Sequence, residues 1–335
     1  MYLRPGKLPL DILEKFLKSY TSSRHGVIVG PSIGEDAAAI DMGDTYLLAK
    51  TDPITFVAED IGTYTIHINA NDIATMGGTP RWFLATVLLP ENSTTEELAE
   101  KVFRQLSAAC SKIDVSWCGG HTEITRGIDR PIVIGMMLGE VGKSRLITTS
   151  GAQVGDDIIL TKEIAIEGTS VIAREKGEEL KGIFGERFVE KCRNLMDNPG
   201  ISVLEDAEIA VRNGDIHSMH DPTEGGIATG LYEIAKAAGT GLLVEEEKIP
   251  VLEECRTLCR HYNLAPLGLI ASGSLLITLN PKDTEVVIES LKKRGLTACQ
   301  IGKIHRRDEG VKIRKGDKSR GLERFEADEI TKIFR

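Results

Sequence analysis

Three aspartates decide what chemistry is open to this chain. Asp36 sits in Gly34-Glu-Asp-Ala-Ala-Ala-Ile40, Asp52 closes Thr45-Tyr-Leu-Leu-Ala-Lys-Thr-Asp52, and Asp72 lies in Asn69-Ala-Asn-Asp-Ile-Ala-Thr-Met76. The first two segments flank Met42-Gly-Asp44, a turn sequence. A hairpin with its tip at Gly43-Asp44 pairs positions whose numbers sum to about 87 or 88, which puts Asp36 and Asp52 together at its open end. Pro53 lacks an N–H for the ladder, so regular pairing should stop beside Asp52. Three carboxylates gathered with only Lys50 as a basic neighbour in sequence repel one another unless they share a cation. Hard oxygen ligands of this kind suit Mg2+ together with the phosphates of a nucleotide.

The third aspartate depends on the helix that carries it. The stretch from Asp60 to Pro80 reads as one amphipathic helix with a hard stop, with Ile61, Ile66, Ile68, Ile73 and Met76 on its apolar side. Gly77 or Gly78 supplies the left-handed residue that ends it, and Pro80 forbids continuation. Asn69, Asn71 and Asp72 are poor choices for a helix interior, because their side chains compete for backbone hydrogen bonds. Either they face solvent or cap a neighbouring loop, or they hold a ligand, and the acidic hairpin favours the ligand.

The chain has 335 residues, 41% hydrophobic and 27% charged, enough for two domains with full cores. Its formal charge of -9 argues against a general nucleic-acid or anionic-membrane binder. No apolar run approaches the ~20 residues that cross a bilayer, so a cytoplasmic protein is the expectation. The six cysteines show no CxxC and no zinc spacing and read as reduced; Cys255 and Cys259, one helical turn apart, read as packing. No GxGxxG occurs, and Gly142-Lys143-Ser144 lacks the first glycine of a P-loop. A nucleotide here needs another geometry.

In order, the first half reads strand, strand, helix, strand, helix, strand, strand. Arg81 to Pro90, Val115 to Cys118 and Pro131 to Val141 are the later strands, and Thr94 with Glu97 offers a capping box. That order predicts an α/β (α+β) fold whose N-terminal sheet has helices on one face and pairs through the other in a dimer. A turn-rich seam at Gly142 to Gly155 divides the chain into 1–150 and 151–335. The second domain reads as mixed α/β, with strands at Asp157 to Thr161, Leu242 to Glu245, Ser274 to Leu279 and Ile301 to Ile304. His217 to Gly226 reads as a loop feeding a helix, and the basic tail from Lys312 as surface.

Five ordered motifs carry a resemblance. Gly34-Glu-Asp-Ala-Ala, Thr51-Asp52, Asn71-Asp72-Ile-Ala-Thr-Met-Gly-Gly, Gly119-Gly-His-Thr-Glu123 and Asp221-Pro-Thr-Glu-Gly-Gly226 resemble the aminoimidazole ribonucleotide (AIR) synthase superfamily, over residues from about 30 to 305. That superfamily includes thiamine-monophosphate kinase, selenophosphate synthetase and the hydrogenase-maturation dehydratase of the HypE type, and the chain looks most like the last. The resemblance implies a homodimer with ATP and Mg2+ in a cleft between the domains. It implies Asp36, Asp52, Asp72 and Asp221 as metal ligands. It places Gly34, Thr51, Asn71, Gly119, Gly120, His121, Thr122, Glu123, Gly225 and Gly226 at the nucleotide.

Two departures stand out. Glu35 replaces the first aspartate of the usual Gly-Asp-Asp, and the sequence ends Ile330-Thr-Lys-Ile-Phe-Arg335 where HypE-type proteins carry a terminal cysteine. The expectation is therefore an ATP-dependent enzyme that phosphorylates an oxygen of an unidentified small or protein-borne substrate, without thiol chemistry at its own C-terminus. The alternatives are a non-catalytic, nucleotide-binding partner of another maturation protein and a small-molecule kinase similar to thiamine-monophosphate kinase.

Overall fold

A computed structural model of the chain describes residue 3 and residues 6–55 and 57–334. Met1, Tyr2, Arg4, Pro5, Phe56 and Arg335 lie outside them.

The first half holds strands β1 (Val27–Val29), β2 (Ala38–Asp41), β3 (Thr45–Ile54), β4 (Thr79–Pro90), β5 (Ser116–Thr125) and β6 (Ile132–Gly142), with helices α1 (Leu10–Tyr20), α2 (Ile61–Thr75) and α3 (Glu96–Lys112). The strands form one sheet in the order β1-β2-β3-β6-β4-β5, antiparallel except for the parallel pair β4 and β5. The acidic hairpin forms with Ile40 opposite Leu47 and Asp41 opposite Tyr46. Pairing does not stop at Asp52: β3 runs on to Ile54, and Pro53 lies opposite Ile134 of β6. The segment from Gly119 to Thr125 is part of β5, not a loop between strands. The helix-capping hydroxyl is Thr95, which accepts from Leu98 N at 3.2 Å, one residue later than the motif suggested.

α2 is less amphipathic than its sequence implied, because every residue of it but Thr63 is buried. One side lies on the sheet and the other on the second half of the chain. On β6, Val133, Met137 and Val141 point under the helix and are buried. Gly135 is needed there, since a Cβ would come within 2.4 Å of Asn69 Nδ2. The alternate residues Ile132, Ile134, Met136 and Leu138 face away from the helices and remain partly or fully exposed.

The second half holds β7 (Asp157–Thr161), β8 (Ile216–His220), β9 (Gly241–Glu245), β10 (Leu276–Leu279), β11 (Ala298–His305), β12 (Val311–Lys315) and β13 (Lys318–Gly321). Helices α4 (Ile166–Glu175), α5 (Gly177–Phe184), α6 (Glu186–Arg193), α7 (Leu204–Asn213), α8 (Gly226–Ala238), α9 (Glu253–Tyr262) and α10 (Thr284–Lys293) accompany them. The sheet order is β13-β12-β9-β11-β7-β10-β8. His217 to His220, expected as the start of a loop, instead belong to β8 and pair with β10. The stretch from Lys312 is only partly surface: β13 is an exposed edge strand, but Ile313 of β12, Leu322 and residues 328–330 are buried.

The two halves share a core in which Ile61, Tyr64 and Ile66 of α2 cluster with Val171 and Ile172 of α4. A fully buried side chain of this size contributes roughly 1.5–3 kcal/mol. Polar contacts fix the register. Asn71 donates from Nδ2 to Ile201 O at 2.8 Å and accepts from Val203 N at 2.9 Å. Arg174 donates to Asp60 Oδ2 at 3.0 and 3.2 Å. The C-terminal segment is fastened too: Ile330 is fully buried and Glu329 accepts from Ala265 N.

Candidate functional site

Asp36, Asp72 and Asp221 converge from the β1–β2 connection, α2 and the end of β8, each bringing a carboxylate oxygen to within 4.8 Å of the others. All three are buried. Gly34 makes the first approach possible: its φ is +85°, and a Cβ would stand 2.8 Å from the backbone oxygen of Glu233 on α8. Asp36 Oδ2, Asp72 Oδ2 and both oxygens of Asp221 have no hydrogen-bond partner. Burial raises Asp72 well above the ordinary carboxylate range against the pull of Lys50, with Asp221, Asp52 and Asp36 adding repulsion. Burial and the Asp36 charge push Asp221 up to about 8.

A set of buried, anionic, unpartnered oxygens fits a hard divalent cation such as Mg2+, which takes few protein carboxylates and keeps positions for phosphate oxygens. The cations already present lie around this set. Lys50 Nζ reaches Asp72 Oδ1 at 3.0 Å and Asp52 Oδ2 at 3.4 Å. Burial opposes its charge, yet the carboxylates Asp72, Asp52 and Asp36 raise its pKa. His220 Nδ1 is 2.7 Å from Asp36 Oδ1, off the axis of a hydrogen bond, and its Nε2 is 2.9 Å from Glu233 Oε2. Burial works against an imidazolium there, but Asp36 and Glu233 together hold His220 well above its usual value. Lys7 completes the series, with Nζ 3.6 Å from Glu233 Oε1 and donating to Thr223 Oγ1 at 3.1 Å. Its backbone N–H donates to Glu224.

The remaining candidates separate into groups. Asp52 stays at the rim, a third exposed, with its N–H donating to Asn69 Oδ1 at 2.9 Å. Glu35 turns away and accepts from Thr149 N and Ser150 N, both at 3.1 Å, so the longer acid serves the seam between the halves. Thr51 Oγ1 donates to Gly135 O inside the sheet, and both ends of the Asn71 amide are taken by residues 201 and 203. Gly225 and Gly226 have left-handed φ of +79° and +63° at the start of α8. Asp221 does not cap that helix; Asp328 does the equivalent, accepting from Gly225 N at 2.7 Å.

Gly119, Gly120, His121, Thr122 and Glu123 lie apart, on the exposed edge strand β5. Asp52 is opposite Gly135, Gly135 opposite Ala85 and Ala85 opposite Gly120, so three strand spacings, about 14 Å, separate the two sets. Beside them is an open hollow of about 390 Å³ bordered by Phe103 and Trp117. The sequence offered no pattern linking Lys7, Glu233 and Asp328 to this place, because each comes from a distant segment.

Residues 34–141 match the family described as AIR synthase related protein, N-terminal domain, and residues 153–314 match the AIR synthase related protein, C-terminal domain. The chain belongs to the AIR synthase related family. Among the relatives of this family member is a putative hydrogenase expression/formation protein of Methanocaldococcus jannaschii, 28% identical over 310 residues that cover 90% of this chain and 88% of the relative. A thiamine-monophosphate kinase of Pyrococcus horikoshii is 28% identical over 306 residues, 87% of this chain and 88% of the kinase. The fold is shared with solved structures of the hydrogenase maturation protein HypE. One in complex with ATP has a TM-score of 0.72 at 22% identity and covers 99% of this chain and 98% of its own. One in a HypE-HypF complex has a TM-score of 0.75 at 23% identity and covers 94% and 99%.

Proposed function

We propose that this AIR synthase related protein binds ATP with Mg2+ and transfers the γ-phosphoryl group to an oxygen of its substrate. The observation that carries the reading is the set of four unpartnered carboxylate oxygens on Asp36, Asp72 and Asp221. Bound Mg2+ would supply charge neutralisation for the phosphates, which is most of what phosphoryl transfer asks of a protein. The chain's own residues do the positioning. Asp36, Asp72 and Asp221 hold the metal site from three elements, with Asp52 at its rim, and Lys50 and Lys7 bring positive charge to the phosphates' side. The separation of β5 from the carboxylates is of the order of an extended nucleoside triphosphate, so Gly119, Gly120, His121, Thr122 and Glu123 serve the far end of the nucleotide.

In this reading residues 1–150 form the nucleotide-binding unit and 151–335 the unit that closes the cleft. The protein acts as a cytoplasmic homodimer. No helix among the described residues is long and apolar enough to cross a membrane. Docking to another maturation protein is a second role for the same fold, supported by the HypE-HypF complex of a structural neighbour. Calorimetry with ATP, with and without Mg2+, together with measurement of ADP formation, tests the reading. Binding that needs Mg2+ and disappears in Asp72→Asn supports it; binding indifferent to both overturns it.

A further inference from the structure

One buried carboxylate close to this site is used by nothing described so far. Glu167 lies in the first turn of α4, is 4% exposed, and its Oε2 has no hydrogen-bond partner. Next to it is Ser272, fully buried, whose hydroxyl is also unpartnered. Two such groups side by side cost stability in a closed interior, which makes them conspicuous.

Their place in the fold ties them to the cleft. Gly168 N donates to Ile270 O at 3.1 Å, and Ala271 N donates to Thr223 O at 3.3 Å. The Glu167 and Ser272 pair is thus built onto the backbone of the Asp221–Gly226 loop, which carries one of the three clustered aspartates. Glu224 from that loop and Asp328 from the C-terminal segment are the nearest charges of the same sign. Burial, against the pull of Ser272 and with repulsion from both acids, holds Glu167 up at about 7, where a carboxyl can take and return a proton at neutral pH. Asp328 is already committed to Gly225 N and Ile330 N, and Glu224 to Lys7 N. Glu167 has Ser272 beside it and keeps its Oε2 unpartnered.

We propose that Glu167 and Ser272 receive the phosphoryl acceptor, and that this acceptor is an uncharged or cationic alcohol or amide and not a phosphate monoester. The inference rests on the phosphoryl-transfer reading above. The acidic surroundings of Glu167, Glu224 and Asp328 repel a phosphate dianion, whereas an alcohol O–H or amide N–H finds an acceptor in Glu167 and a hydroxyl partner in Ser272. In the step itself the acceptor oxygen bonds to the γ-phosphorus, and the bond from that phosphorus to the β,γ-bridging oxygen breaks. ADP leaves with the electron pair, and the proton of the acceptor passes to Glu167 Oε2.

Three measurements test this. Glu167→Gln should bind Mg2+-ATP within twofold of wild type by calorimetry while ADP formation falls on the order of 100-fold or more, the usual share of a general base. Glu167→Asp should recover part of the loss, and small primary amides and alcohols, but not thiamine monophosphate, should raise the wild-type rate. A crystal structure with a non-hydrolysable ATP analogue and Mg2+ should put the Glu167 carboxyl about 6–7 Å from the γ-phosphorus, room for one acceptor atom. Turnover retained in Glu167→Gln, phosphorylation of thiamine monophosphate, or a carboxyl well beyond that distance would each overturn the inference and leave nucleotide binding standing. Wild-type protein that binds no Mg2+-ATP would instead overturn the phosphoryl-transfer reading, and this inference with it.

Discussion

His220 and Asp36 stand 2.7 Å apart, and the other ring nitrogen of His220 is 2.9 Å from Glu233 on α8. A residue of the second half thereby sets the position of a carboxylate from the first. Groups behind a metal ligand fix its direction, and removing one typically costs 10–100-fold in metal affinity. Glu233→Gln keeps the shape of that side chain but removes the charge facing His220 and Lys7. Calorimetry should show Mg2+-dependent ATP affinity weaker by about 10–100-fold, with the circular dichroism spectrum unchanged. Equal affinity in variant and wild type would show that Asp36 needs no such support.

Asp221→Asn should trade function against stability. Both oxygens of Asp221 are unpartnered, and burial with the Asp36 charge pushes it up to about 8. A neutral side chain of the same shape relieves that repulsion, so metal-free protein at pH 8 to 9 should be more stable by on the order of 1–3 kcal/mol. The same change should abolish Mg2+-dependent nucleotide binding. Thermal melts in chelator, beside calorimetry with Mg2+-ATP, read the two effects separately. A variant less stable than wild type in chelator would mean that the carboxylate is satisfied in the free protein.

The acidic hairpin and the central helix were legible because their signals are local. Turn residues at Met42-Gly43-Asp44 fix the β2–β3 register, and Gly77 with φ +72° ends α2 as its position suggested. What sequence could not supply was burial on the second side of α2. That side is created by residues 165 to 204, which no periodicity within the helix reports. Asn71 illustrates the consequence: its place beside Asp72 reads as a ligand position, yet its amide is occupied by the backbone at 201 and 203. The strand at His217 to His220 escaped notice for a related reason, because Ser218 and His220 are polar side chains buried within it. Glu167 and Glu233 carry no motif at all; only folding brings Glu233 to His220 and Glu167 to the segment bonded to Thr223.

Asn71→Ala should accordingly destabilise the whole chain. It removes two buried hydrogen bonds and leaves Ile201 O and Val203 N unpaired, a cost of about 2–4 kcal/mol. Urea denaturation should show the midpoint falling while the slope stays the same. Wild-type stability with weakened nucleotide binding would reassign Asn71 to the ligand.

Stability should also depend on pH in a defined direction. Burial raises Glu167 from 4.5 to about 7 and Asp328 from 3.8 to about 7. Between pH 4 and 7 the folded chain therefore keeps protons that the unfolded chain has released. These two groups should lower stability as pH rises through that window, each by up to about 1.4 kcal/mol per pH unit, and add no further slope above it. Glu167→Gln should remove one of the two contributions and flatten the profile. Denaturation series at fixed ionic strength between pH 4.5 and 8 check this, and identical slopes in variant and wild type would contradict the buried, proton-holding state of Glu167.

The open face of the first sheet leads to the last prediction. Ile132, Ile134 and Leu138 are half-buried and Met136 is 41% exposed, all on the side of β6 away from α2. Leu84 and Leu88 of β4, opposite Met136 and Ile132, are half-buried on the same face. An antiparallel sheet can leave one face to water, but then that face is ordinarily polar, and a continuous apolar stripe on it is the mark of a covered surface. A second copy of the same sheet is self-complementary to it. Ile134→Lys puts a charge in the middle of the stripe, away from the aspartate cluster and from the buried side of β6. Light scattering at micromolar concentration should report twice the chain mass for wild type and a single chain mass for the variant, with its far-ultraviolet circular dichroism unchanged. A wild-type protein that is monomeric under those conditions would show that this face is left to water or to another partner.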